Sequence, residues 1–154
     1  MLQYKLILNF FIACFSTFGF AVFMHTPKRV IIHASITGGL GWFLYDLSSP
    51  FMGEVFASFL GACMIGICGE FLARKCKCPS IVFLIPGMLP LVPGRGLYLT
   101  MEALIDKQYL ASVNKGVETF AIAGAIAFGL IFTTSTARLF SEDNFLKRKK
   151  QESV

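Results

Sequence analysis

Between Pro79 and Tyr98 the chain reads P-S-I-V-F-L-I-P-G-M-L-P-L-V-P-G-R-G-L-Y, with four prolines and three glycines in an otherwise apolar run. An interior proline removes a backbone N–H and clashes with the carbonyl four residues earlier. Pro86, Pro90 and Pro93 fall within eight residues, so this stretch cannot form one straight helix. At membrane depth the freed backbone groups need partners on neighbouring helices or water in a cavity. Broken helices are a common way to build a transport site, because half-helix ends carry partial charges.

Composition points to a membrane. Of 154 residues 55% are hydrophobic and 15% charged, 17 are Phe, and the charges fall in short clusters between long apolar runs. That excludes disorder and argues against a water-soluble domain. The net charge of +5 owes much to Lys147, Arg148, Lys149 and Lys150. Beside an apolar span these read as a cytoplasmic flank, and no basic face with base-reading chemistry suggests nucleic acid. Five cysteines, an odd number, do not make a disulfide framework. Cys14, Cys63 and Cys68 lie in apolar runs as small hydrophobes. Cys76 and Cys78, with His25 and His33, are the only set resembling a soft-metal site. Two unpaired loop thiols are the simpler reading, and no metal or cofactor is expected.

In order, the pattern predicts an all-α integral membrane protein of about five spans, the fourth broken. The first covers 6–24 and the second, a short one, 30–45, ending in a turn at 46–50. The third covers 51–73, the broken segment runs to about Ile105, a polar connector covers 106–115, and the last span is 118–138. Residues 1–140 form the membrane domain and 141–154 a basic cytoplasmic tail. Small residues four apart predict close helix contacts. They are Ala34/Gly38, Ser35/Gly39 and Thr37/Gly41 in the second span, Gly53/Ala57/Gly61 and Ala62/Gly66 in the third, and Ala121/Ala125/Gly129 in the last. Segments 26–29, 74–78 and the tail are basic, whereas 46–50 has no Lys or Arg. The positive-inside rule then puts the N-terminus outside and the C-terminus in the cytoplasm.

The run Leu84-Ile-Pro-Gly-Met-Leu-Pro-Leu-Val-Pro-Gly94 resembles the small, C-terminal-type module of the threonine/serine exporter family. The resemblance extends to Thr26-Pro27-Lys28-Arg29, Ala73-Arg74, Tyr98 and the Ala/Gly-rich stretch Ala121 to Gly129. In that family the module is fused behind a larger membrane domain or stands beside it as a separate subunit. Some two-component members resemble succinate exporters. The resemblance implies a half-transporter that moves threonine, serine or a dicarboxylate outward by alternating access, driven by protons. It also implies a larger membrane subunit as partner, and the small-residue ridges would equally suit a homo-oligomer.

Pro86, Gly87, Pro90, Pro93, Gly94, Arg95 and Tyr98 are the candidates for the substrate pathway. A half-helix starting after Gly94 would offer N–H groups to a carboxylate, and Arg95 a charge-assisted bond. Arg95 could equally snorkel to the interface, and Tyr98 could be an interfacial aromatic. Glu54, Glu70 and Glu102 are candidates for proton coupling, since an intramembrane carboxylate is costly. Glu70 and Arg74, four apart, share a helix face and can pair. Arg29 reads as a topology determinant. No nucleophile elbow, H-E-x-x-H or phosphate loop appears, so no enzyme is expected. A membrane scaffold for a larger partner is the alternative to transport, but a scaffold has little use for a broken span. A metal permease would need its Cys, Met and His ligands along one path.

Overall fold

The computed structural model describes the backbone of residues 2–152 and the side chains of 4–137. Among these residues the chain is all helix: α1 (Leu2–Phe23), α2 (Lys28–Cys76), α3 (Ile81–Met88), a 3₁₀ turn (Leu89–Leu91), α4 (Gly94–Ile105) and α5 (Tyr109–Glu152). Three helices are long and apolar enough to cross a membrane, or four if the bent pair Ile81–Leu91 and Gly94–Ile105 is one span.

The 49 residues of α2 are not one rod. Gly53 has φ 78° and ψ 164°, a conformation essentially reserved for glycine. There the helix turns back on itself, giving arms 28–52 and 54–76. A Cβ on Gly41 would lie 3.2 Å from the Gly61 carbonyl and one on Gly61 would lie 2.9 Å from the Gly41 carbonyl. Farther down, Val30 and Ala34 pack with Ala73. The turn expected at 46–50 is therefore misplaced. Helix continues through Asp46 and Pro50, and the short second span becomes a full-length arm. Gly53, expected in a packing ridge, is the hinge, with no neighbouring atom within 4 Å of its would-be Cβ.

Around this hairpin the other helices settle by close approach. Side chains on α1 meet the first arm where it carries glycine: Thr17 lies on Gly38, and Cys14 and Phe10 lie on Gly39. Near the hinge end Asn9 Nδ2 donates to Asp46 Oδ2 at 2.8 Å, joining the two helices. Helix α3 inserts Phe83 (0% exposed) among Val30, Ala34 and Ala73. Helix α5 runs alongside the second arm, with Thr133 against Gly66 and Gly129 against the Phe59 carbonyl. The ridge expected at Ala121, Ala125 and Gly129 is rotated: Ala121 is exposed, and the buried line is Thr119, Ile122, Ile126, Gly129 and Thr133. The polar connector is also shorter than expected, because α5 already begins at Tyr109. Asn114, Lys115 and Gly116 look like a turn but stay helical, since this part packs on α4, where Ser112 Oγ donates to the Thr100 carbonyl at 2.9 Å.

The interior is rich in small and hydroxyl residues set around a few large ones such as Phe83 and Ile65, whereas most large apolar side chains face outward. Thr17, Thr37 and Ser58 are at most 1% exposed. Each satisfies its hydroxyl on the carbonyl four residues back, at 2.8, 2.9 and 2.7 Å. Phe15 and Phe51 are 79% and 84% exposed. Water would penalise such a surface heavily, but hydrocarbon does not, and small residues inside are what bilayer helix packing requires.

Candidate functional site

The expected break is present, and each proline has a separate part in it. Pro86 lies inside α3, Pro90 in the 3₁₀ turn, and Pro93 (φ −77°, ψ 57°) precedes α4. The last is a tight inverse turn, closed by the Gly94 N–H on the Val92 carbonyl at 2.7 Å. The chain leaves it bent by 45°. The Leu97 N–H then bonds to the Pro93 carbonyl at 3.2 Å, closing the first turn of α4. Helices leave their leading N–H groups without intrahelical partners, and here that first turn, Gly94 to Gly96, borders a cavity.

The cavity measures about 400 Å³, the size of a small-molecule site. Its walls come from three directions: Trp42, Tyr45, Glu54 and Ser58 from both arms of α2, Pro90 to Gly96 and Leu99 from the break, and Lys115, Glu118 and Ile122 from α5. Ser58, Leu91 and Ile122 are buried and floor it, while Glu54, Arg95, Lys115 and Glu118 are exposed at its rim. The rim thus has two cations and two carboxylates. Trp42 and Tyr45, with ring centroids 5.2 Å apart, add an aromatic wall. Such a lining can hold a small solute carrying both signs of charge, and it suits a doubly charged anion less because Glu54 and Glu118 would repel it.

The break brings Pro90, Pro93, Gly94, Arg95 and Glu54 together, but not the other candidates. Pro86 and Gly87 are buried in the packing of α3, where a Cβ on Gly87 would meet Ile65 at 3.2 Å. Tyr98 faces outward, 67% exposed, and Glu102 is exposed on α4. Arg29 is exposed at the start of α2, remote from the break. Glu70 and Arg74 do share a face, on a separate groove against α5, where Arg74 Nη2 donates to the Ala137 carbonyl. Sequence reasoning missed Trp42, Tyr45, Ser58, Lys115 and Glu118. Lys115 was hidden because a polar run was taken for a connector, and Glu118 because it was read only as the first residue of the last span. Among the described residues no group of three or more His, Cys, Asp or Glu is placed to hold a metal ion.

An inverted bundle with a charged cavity at a broken helix defines an integral membrane protein. More narrowly, residues 9–136 match the family described as "Threonine/Serine exporter, ThrE". The chain belongs to the threonine/serine exporter family. It is 29% identical over 119 residues, 77% of its length, to a Corynebacterium glutamicum protein named threonine/serine exporter, of which it covers 24%. It is also 26% identical to an uncharacterized protein of Haemophilus influenzae, over 82% of this chain and 46% of that one. The chain therefore spans less than half the length of these relatives. No solved structure matches it.

Proposed function

We propose that the chain is one part of a secondary exporter and that the cavity at the break is its substrate station. The observation that carries this reading is the mixed-charge rim of Arg95, Lys115, Glu54 and Glu118 around a half-helix N-terminus. A zwitterionic amino acid would place its carboxylate on the α4 N–H groups and Arg95, with its ammonium between Glu54 and Glu118. The same rim supports threonine or serine over a dicarboxylate. One of the two carboxylates would also exchange the coupling proton, with export proceeding by alternating access.

In this reading α1, the two arms of α2, the bent pair and α5 make five spans. The basic ends at 26–29 and 74–78 lie in the cytoplasm, as does the tail, and the N-terminus is outside. A larger membrane chain completes the transporter. Support comes from α4, which packs chiefly on α5 and leaves Leu97, Tyr98, Met101 and Ile105 exposed.

The test is efflux of labelled threonine, serine and succinate from cells making this chain, alone and beside a larger membrane chain of the family. The expected outcome is efflux of the amino acids, not succinate, only when both are present. Efflux of none of the three would overturn the reading and favour a scaffold.

A further inference from the structure

A second cavity, away from the break, opens between the second arm of α2 and α5 near the basic end of the bundle. It holds about 330 Å³, and its walls include Ile67, Phe71, Phe132 and Thr136, with Glu70 and Arg74 along one side. Ile67, Phe71 and Phe132 are 60%, 68% and 56% exposed, so this apolar trough lies on the outer surface of the bundle, where hydrocarbon surrounds it.

The trough ends at charge. Arg74, Lys75 and Lys77 close the second arm, and Lys28 and Arg29 open the first at the same end, all exposed. Only Arg74 also lines the trough. Its guanidinium donates to the Ala137 carbonyl on α5 and is thereby held between the two helices. An arginine has five N–H donors in a fixed fork, and one such bond leaves most of them for an incoming group.

From this arrangement we propose that the trough is a binding site for one anionic phospholipid of the leaflet at the basic end. One acyl chain lies against Ile67, Phe71 and Phe132, and the phosphate is held by Arg74 with Lys75 and Lys77 nearby. Basic pockets between membrane helices take anionic headgroups by this combination, and Arg pairs with phosphate through paired N–H bonds. Glu70 stands one turn earlier on the helix, about 6 Å deeper, level with the glycerol backbone and not with the phosphate. The site is independent of the export reading, since it uses no residue of the cavity at the break.

The full chain, purified in a neutral maltoside detergent, would be titrated with phosphatidylglycerol, phosphatidylethanolamine or phosphatidylcholine of matched acyl chains, and bound lipid counted by native mass spectrometry. Phosphatidylglycerol is expected to bind more tightly than either zwitterionic lipid. Arg74→Gln keeps a donor for Ala137 but not the charge, and should cut that preference by about fivefold. Arg74→Lys should retain most of the preference, and Lys77→Gln should change it less than Arg74→Gln. Glycerol 3-phosphate, a headgroup without chains, should not compete, whereas it would if the basic end bound any phosphate. Equal binding of phosphatidylglycerol and phosphatidylethanolamine would overturn the proposal in favour of a Glu70–Arg74 clamp for a zwitterionic headgroup. An unchanged preference in Arg74→Gln would overturn it in favour of diffuse surface charge.

Discussion

The chain breaks its helices twice, at Gly53 and at Val92–Pro93–Gly94, with different results. At Gly53 a single positive φ reverses the helix, and no neighbouring atom lies within 4 Å of a Cβ placed there. At Pro93 every φ is ordinary, the bend is 45°, and helices on both sides supply walls to a cavity. A break at the end of a bundle acts first on topology: the hinge glycine makes no contact of its own, and the cavity begins only with the next residue, Glu54. A break beside other helices leaves a space that their side chains must line. In the first kind the glycine matters for its backbone; in the second, what matters is the chemistry around it.

Arg95→Ala should give the largest effect. A charge-assisted hydrogen bond lost from the cavity costs about 1.5–3 kcal/mol, which is roughly ten- to hundredfold in efflux at low substrate. Membrane insertion should be unchanged, because Arg95 is exposed. Initial efflux rates per inserted molecule are the measurement. Unaltered efflux would mean that Arg95 only snorkels, and the second break would then be as purely structural as the first.

Next in size are two glycine substitutions that act on stability. Gly53→Ala forces a side chain into a backbone region at a cost of about 1–3 kcal/mol. It should lower the thermal midpoint, with a smaller loss of efflux per folded molecule through Glu54, the next residue, on the cavity rim. Gly96→Ala should cost a similar amount, about 1–3 kcal/mol by overpacking, because the added Cβ runs into Thr119. It should also reduce efflux, since α4 carries the cavity wall with it. Equal loss of efflux in both variants would erase the distinction between the two breaks.

Much of this contrast was legible in the sequence, and the misses have physical causes. Three prolines in eight residues forbid a straight helix in any context, so the bent span could be read directly. The small residues of the first arm were read correctly because Ala34, Ser35, Thr37, Gly38, Gly39 and Gly41 are all buried. The hinge was missed because Asp-Leu-Ser-Ser-Pro has turn composition, yet the Tyr45 and Asp46 side chains face neighbours that hold the helix one turn longer: Tyr45 packs against the core and Asp46 bonds to Asn9. Lys115 was missed because tertiary packing on α4 overrode a polar local pattern, and Glu118 because nothing local shows that the start of the last span borders the break. Cavity walls from Trp42 and Ser58 had no local signal at all, since they depend on where the hairpin of α2 meets the break.

The smallest effect is expected from Gly94→Ala, which separates room from backbone at the second break. Gly94 begins α4 with no atom within 4 Å of a would-be Cβ, and it has no positive φ. Alanine there is sterically free and favours helix, by at most about 1 kcal/mol. The thermal midpoint should hold or rise slightly, and efflux should change by less than about threefold, the factor set by well under 1 kcal/mol. A fall in stability as large as that of Gly53→Ala would show that the motif needs glycine for its backbone at this position too. Unchanged stability with a marked shift between threonine and serine efflux would instead place Gly94 against the substrate side chain, because a single methyl would then be felt by the solute and not by the fold.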